Sequence, residues 1–138
     1  MGIRLDAICL FVNDLKQMLA FYRDVIGMDV LRDWDETRSD VEFKHEGIRF
    51  MMYERKELDG YLGVEVSYPN GVNGTFELAI DLPKFSDVDK EFERVVKLGA
   101  KPIFSPRNEP WGMRSSFIAD PEGNLIEIGS WGKGEQNE

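Results

Sequence analysis

A strand, a helix and three further short strands are written in this chain twice, and that repetition constrains the fold more than any single motif. Residues 5–12, LDAICLFV, read as a short apolar strand followed by Asn13 and Asp14 as candidate N-caps. Leu15, Met18, Leu19, Tyr22, Val25 and Ile26 then recur at helical spacing until Gly27 stops the helix. In the second half FELAIDL at 76–82 is the strand, and SDVD at 86–89 has the form of a capping box with Asp in place of Glu. Val88, Phe92, Val95 and Val96 supply the helical stripe, and Gly99 closes it.

Short strands follow each helix: 28–34, 39–46 and 47–54 in the first half, 100–106, 113–120 and 124–131 in the second. The hairpin-like turns correspond too, HEG at 45–47 against PEG at 121–123, each with a glycine free to take positive φ. The pattern predicts an α+β fold of two tandem βαβββ modules, at about 3–55 and 75–131. A Gly-, Pro- and Asn-bearing joint at about 56–74 connects them, and 133–138 is expected to be a flexible tail. With 138 residues, enough for one ordinary core and few for two, the expectation is one domain over 1–132.

Superposing the halves makes side-chain directions comparable. Gly47 lies opposite Gly123, so Met51 and Glu127 are equivalent, and Ala7 is the counterpart of Glu77. Strand side chains alternate. If Ile126 and Ile128 take the core, Leu125, Glu127 and Gly129 take the other face; if Phe76, Leu78 and Ile80 take it, Glu77 and Ala79 lie opposite. Two carboxylates in buried surroundings are therefore expected on the concave face. Cys9 alternates with Ala7 and Phe11 and should share their face.

A formal charge of −9 argues against nucleic acid as a partner, because phosphate contacts need clustered Lys and Arg. No apolar run is long enough to span a bilayer, and the start has no signal-peptide pattern, so a cytoplasmic location is expected. The single cysteine agrees with a reducing compartment. No phosphate loop, zinc knuckle, nucleophilic-serine motif or RNA-binding signature occurs.

Three segments, LFVNDLKQMLAFYRDVIGM at 10–28, FELAIDL at 76–82 and WGMRSSFIADPEGNLIEI at 111–128, resemble the vicinal oxygen chelate superfamily of glyoxalases, bleomycin-resistance proteins and extradiol dioxygenases. The pattern is closest to the small bleomycin-resistance-like members. The resemblance implies a sheet-lined cavity for a small molecule, pairing into a homodimer, and metal ligands at four strand positions in the metal-dependent members. Those positions are Ala7, Met51, Glu77 and Glu127 here, expected to converge on one cavity. Only Glu127 matches the commonest ligand pattern, and His45, the one histidine, sits in a hairpin turn, so two histidines and a carboxylate cannot form a facial triad. No metal or other cofactor is therefore expected; any divalent ion would rest on Glu77 and Glu127 with water or substrate oxygens.

Phe11, Arg49, Tyr53, Trp111 and Met113, with Ala7, Cys9 and Met51, are the candidate ligand-binding residues, PWGMR at 110–114 resembling the cavity border of bleomycin-resistance-like members. Trp34, Trp111 and Trp131 either serve a ligand or plug a dimer seam. Glu77 and Glu127 are the candidate catalytic residues, a base and its partner, or else hydrogen-bonding groups in a wet cavity. Cys9 has no base beside it and reads as a packed small residue. Three functions stay open: metal-free binding of a small, amphipathic or cationic molecule; an enzyme, either a divalent-metal lyase, isomerase or dioxygenase or a metal-free one using Glu77 or Glu127 as base; and a structural or regulatory dimer with a vestigial cavity.

Overall fold

The computed structural model describes residues 2–137, and the chain divides into two compact units, Met1–Tyr68 and Pro69–Glu138, each repeating the strand–helix–strands order. In the first unit β1 (Ala7–Val12) leads to α1 (Leu15–Ala20), then β2 (Asp40–Phe43) and β3 (Arg49–Glu54), in a sheet of order β1-β3-β2 with β1 and β3 parallel. A one-turn helix, α2 (Leu58–Leu62), follows within the stretch expected to be a joint and buries Leu58. In the second unit β4 (Asn73–Asp81), α3 (Phe85–Lys97), β5 (Lys101–Asn108), β6 (Arg114–Ala119) and β7 (Asn124–Ser130) give the order β4-β7-β6-β5, with β4 and β7 parallel.

The Asp14 side chain caps α1, accepting from the Gln17 N–H at 3.0 Å. Past Ala20 the helix widens into a π-turn, Phe21–Ile26, and Gly27 ends it at φ 96°. Widening brings Phe21 into the core beside Tyr22, an inward position that strict 3.6-residue spacing did not predict. Phe43, Phe50 and Met52 complete this buried face with Leu10 and Val12. In the second unit Val88 and Val95 of α3 cover Ile118, Ile126 and Ile128. Arg114 fastens β6 to the helix by a two-point bond to Asp89, both at 2.7 Å.

Several sequence expectations need correction. The strand expected at 28–34 is reduced to a single bridge, Val30 to Phe43. The Leu31 N–H to the Glu42 carbonyl at 2.8 Å and the Lys44 N–H to the Asp29 carbonyl at 2.7 Å are its ladder bonds; the chain then bends, and a turn in which Asp35 takes the Thr37 N–H on its carboxylate at 2.8 Å and the Arg38 N–H on its carbonyl at 3.1 Å leads into β2. The capping box lies two residues earlier than SDVD: Asp87 Oδ2 accepts from the Lys84 N–H at 3.0 Å, while Asp89 is committed to Arg114. Of the segment expected to fray, Lys133–Asn137 forms a short 3-10 turn, tied down where Gly134 donates to the Pro83 carbonyl and Glu135 accepts from the Phe85 N–H; residue 138 lies outside the described residues.

The DPEGN run has a structural duty. Buried Asp120 accepts from the backbone N–H groups of Glu122 and Asn124 and from the Asn124 side chain, and Asn124 accepts from Asn73 at the start of β4. Each of these buried polar groups is thereby partnered, and the β6–β7 turn is fixed to β4.

Candidate functional site

Each sheet has one helix-packed face and one helix-free face, and alternation assigns the candidates to the latter. In the first unit β1 and β3 pair Ala7 with Arg49, Cys9 with Met51 and Phe11 with Tyr53, and β2 sets Glu42 beside Met51. Leu10, Val12, Phe50 and Met52, the alternate residues, are the buried ones. Arg49 is already engaged, donating to Asp6 at 2.8 Å and to Glu42 at 3.0 Å, and its guanidinium holds the Asp6 carboxyl below its ordinary range. Burial pushes the Cys9 thiol up, with Asp40 adding to the effect, the direction that disfavours the thiolate. Arg55 escaped the sequence reading; its Nε donates to the Phe11 carbonyl at 2.9 Å and its guanidinium lies 4.5 Å from the centre of the Tyr68 ring.

In the second unit Glu77 pairs with Leu125 and Ala79 with Glu127, so the two glutamates lie diagonally on neighbouring strands. The internal superposition agrees with these registers, since Cys9 opposite Met51 corresponds to Ala79 opposite Glu127. Only one of the carboxylates is sheltered, however. Glu127 is half-buried, whereas Glu77 is exposed, which corrects the expectation of two buried-looking carboxylates. β4 is an edge strand with no neighbour beyond it in its sheet, so a side chain on its helix-free face has company on one side only.

The surroundings of Glu127 are mostly apolar. Leu125 lies two residues before it, and Phe117 is its partner across β6. Met113, buried, packs against Gly129, where a Cβ would meet the Met113 methyl at 2.5 Å and Glu127 Cδ at 3.6 Å. Trp111 projects at the tip of the β5–β6 hairpin and is exposed. Desolvation is the main cause holding the Glu127 carboxyl above its ordinary range, followed by repulsion from Glu77 and then Glu109.

Glu109 is one of several residues of this face, with Phe104, Arg107 and Phe117, that the sequence reading missed. It lies in the hairpin turn, where its N–H donates to the Met113 carbonyl at 2.7 Å and its carbonyl accepts from Gly112 at 3.1 Å. Its carboxylate is folded over β6, accepting from Ser115 Oγ at 2.8 Å and Arg107 Nε at 2.7 Å, and these partners keep it ionised, Arg107 most strongly. Its side chain is only 7% exposed. Alternation in MRSSFIAD could have flagged Phe117; no spacing rule flags Glu109, whose direction depends on Gly112 at φ 95°.

The donors at the four strand positions expected to carry ligands are few. Ala7 and Met51 offer no hard donor, Glu77 and Glu127 offer two carboxylates, and Glu109 is spent on Arg107 and Ser115. Among the described residues no group of three or more His, Cys, Asp or Glu side chains is arranged to hold a metal. Three clefts of the first unit lie around Trp34, along the 29–38 loop and the start of α1, and the Trp34 indole N–H donates to the Arg38 carbonyl at 3.1 Å. Ala7, Cys9 and Met51 line none of those clefts. Among the described residues no helix is long and apolar enough to cross a membrane.

Comparison with known proteins agrees with this geometry. The chain is 29% identical over 129 residues to the uncharacterised protein YraH of Bacillus subtilis, covering 91% of this chain and 97% of that one. The crystal structure of a glyoxalase/bleomycin resistance protein/dioxygenase from Nocardioides superposes with a TM-score of 0.81 at 21% identity, covering 97% of this chain and 87% of the other. A lactoylglutathione lyase from Agrobacterium tumefaciens superposes with a TM-score of 0.69 at 23% identity, covering 94% of each. Identities this low establish a shared fold, while the sequence profile of the Glyoxalase/Bleomycin resistance protein/Dioxygenase superfamily matches residues 4–128, and the chain belongs to that superfamily.

Proposed function

We propose that this protein binds a small organic molecule on its helix-free sheet faces without a resident metal, using Glu127 as a charged anchor, and that it works as a homodimer. The observation that carries the reading is Glu127 itself, a half-buried carboxylate bordered by Leu125, Phe117 and Met113 and held above its ordinary pKa chiefly by desolvation. Such a group gains from a cationic partner that restores what solvent no longer supplies. The donor set at the family's ligand positions supports the metal-free part.

Thermal-shift screening of cationic, neutral and anionic small molecules, followed by calorimetry on wild type and Glu127→Gln, tests this reading. Gln keeps size and hydrogen bonding but removes the charge, so cationic hits should weaken by about 1–3 kcal/mol, the scale of a charge-assisted hydrogen bond. Unchanged affinity in both Glu77→Gln and Glu127→Gln contradicts it. Stoichiometric Mn, Fe, Ni or Zn in protein purified without chelator contradicts the metal-free part. A second reading draws on the same raised proton affinity: Glu127 as a proton acceptor in a metal-free isomerase or lyase. It requires turnover that Glu127→Gln abolishes while ligand binding persists.

A further inference from the structure

The helix-free face of the second unit already carries an organic cation of its own. The guanidinium carbon of Arg107 lies 3.8 Å from the centre of the Phe104 ring, and its Nε donates to Glu109 at 2.7 Å. Phe104 packs on Phe117 with ring centres 5.1 Å apart, and Phe117 is the cross-strand partner of Glu127. A continuous strip therefore runs across β5, β6 and β7, in which the aromatic pair, its rings tilted by 34°, is flanked by Glu127 and by the Arg107–Glu109 ion pair.

Two irregularities in β5 build this strip. The register shifts between Pro102 and Phe104 and again between Phe104 and Arg107. In a regular strand residues three apart point to opposite faces, and the second shift brings Arg107 to the face of Phe104. The two ends of the ion pair differ in exposure. The Arg107 side chain is 59% exposed and Glu109 7%, so the guanidinium can swing into solvent while the carboxylate, bonded to Ser115, stays in place. What remains when Arg107 leaves is an aromatic surface beside a fixed carboxylate, which is a receptor for a planar cation.

We propose that Arg107 is a specificity-determining residue of this face. It acts as a tethered competitor that a ligand's amidinium or guanidinium group displaces from Phe104 and Glu109, so that the face selects organic cations. The proposal rests on the reading that this face is the ligand surface. The alternative role for the same arginine, anchoring an anionic ligand, predicts the opposite response to its removal.

Benzamidinium, benzamide and benzoate are matched probes of positive, neutral and negative charge. Their binding to wild type, Arg107→Ala and Arg107→Ala/Glu109→Gln is measured by calorimetry, and the site is located from the ring resonances of Phe104 and Phe117. Arg107→Ala should bind benzamidinium about 5- to 20-fold more tightly, the scale of one exposed ion pair and one cation–π contact. The added Glu109→Gln change should reverse the gain, and benzamide should not respond. Arg107→Lys, which keeps the charge but not the planar stack, should fall between wild type and Arg107→Ala. Unchanged or weaker benzamidinium binding in Arg107→Ala overturns the proposal, as does benzoate binding that Arg107→Ala abolishes, or no benzamidinium binding to either protein. Those outcomes leave the broader reading standing if other compounds bind in a Glu127-dependent way; it falls when none does.

Discussion

Glu127 and Glu109 share one sheet face and are displaced in opposite directions, because one is desolvated among apolar neighbours and the other is held by Arg107 and Ser115. The signs of their contributions to stability are opposite as well. Glu127, with its folded-state pKa above the ordinary 4.5, favours the fold below that value, and the contribution is lost as pH rises through the folded pKa. Glu109 favours the fold above the ordinary range and loses its contribution as pH falls through its depressed pKa. Carbon-detected titration of the glutamates should show a Glu127 midpoint above 4.5 that Glu77→Gln lowers, and Glu127→Gln should flatten the decline of stability just above that pH. A Glu127 midpoint at or below the ordinary value contradicts this account of the site. At this scale the sequence was informative where alternation rules. Glu127, Met51 and Cys9 lie on the faces it assigned, while Glu109 and the Arg107 stack depend on a hairpin turn and strand bulges that no periodicity encodes.

Elements were legible where a regular period met a stop signal and illegible where local side-chain bonds competed with the ladder. Gly27 and Gly99 end their helices at φ 96° and 111° as read. The expected 28–34 strand is cut to the Val30–Phe43 bridge, and the chain returns to β2 through a turn that the Asp35 side chain organises, a local bond that apolar periodicity does not register. The two repeat glycines, equivalent in sequence, are not equivalent in packing. Gly47 at φ 81° has open space where a Cβ would stand, whereas at Gly123, φ 91°, that Cβ would lie 2.1 Å from the Gly71 carbonyl oxygen. Gly47→Ala should therefore cost only the left-handed backbone strain, about 1 kcal/mol. Gly123→Ala should cost about 2–4 kcal/mol, because the 71–73 segment must also move from the turn that Asp120 organises. Urea unfolding of the two variants measures the difference, and equal losses contradict it.

For the whole molecule, two modules from one repeat were readable because each half carries a complete set of signals, whereas the apolar side chains left uncovered were not. Ile3 and Leu5, which precede β1, are 96% and 74% exposed, and Trp111 and Trp131 of the second unit are exposed as well. Scattered apolar residues are ordinary on a protein surface, but two exposed aliphatic side chains just before an edge strand and exposed tryptophans near a sheet face both gain from a second protein surface. Closed two-fold pairing is the commonest way a soluble chain provides one. Light scattering should accordingly give twice the 15.9 kDa chain mass at micromolar concentrations. Paired Ile3→Ser and Leu5→Ser changes should then shift the equilibrium toward the monomer if the segment before β1 lies in the seam, while Trp131→Ser reports on the second unit separately. A monomer across the micromolar range contradicts the homodimer, and a dimer indifferent to all three substitutions places its seam elsewhere on the molecule.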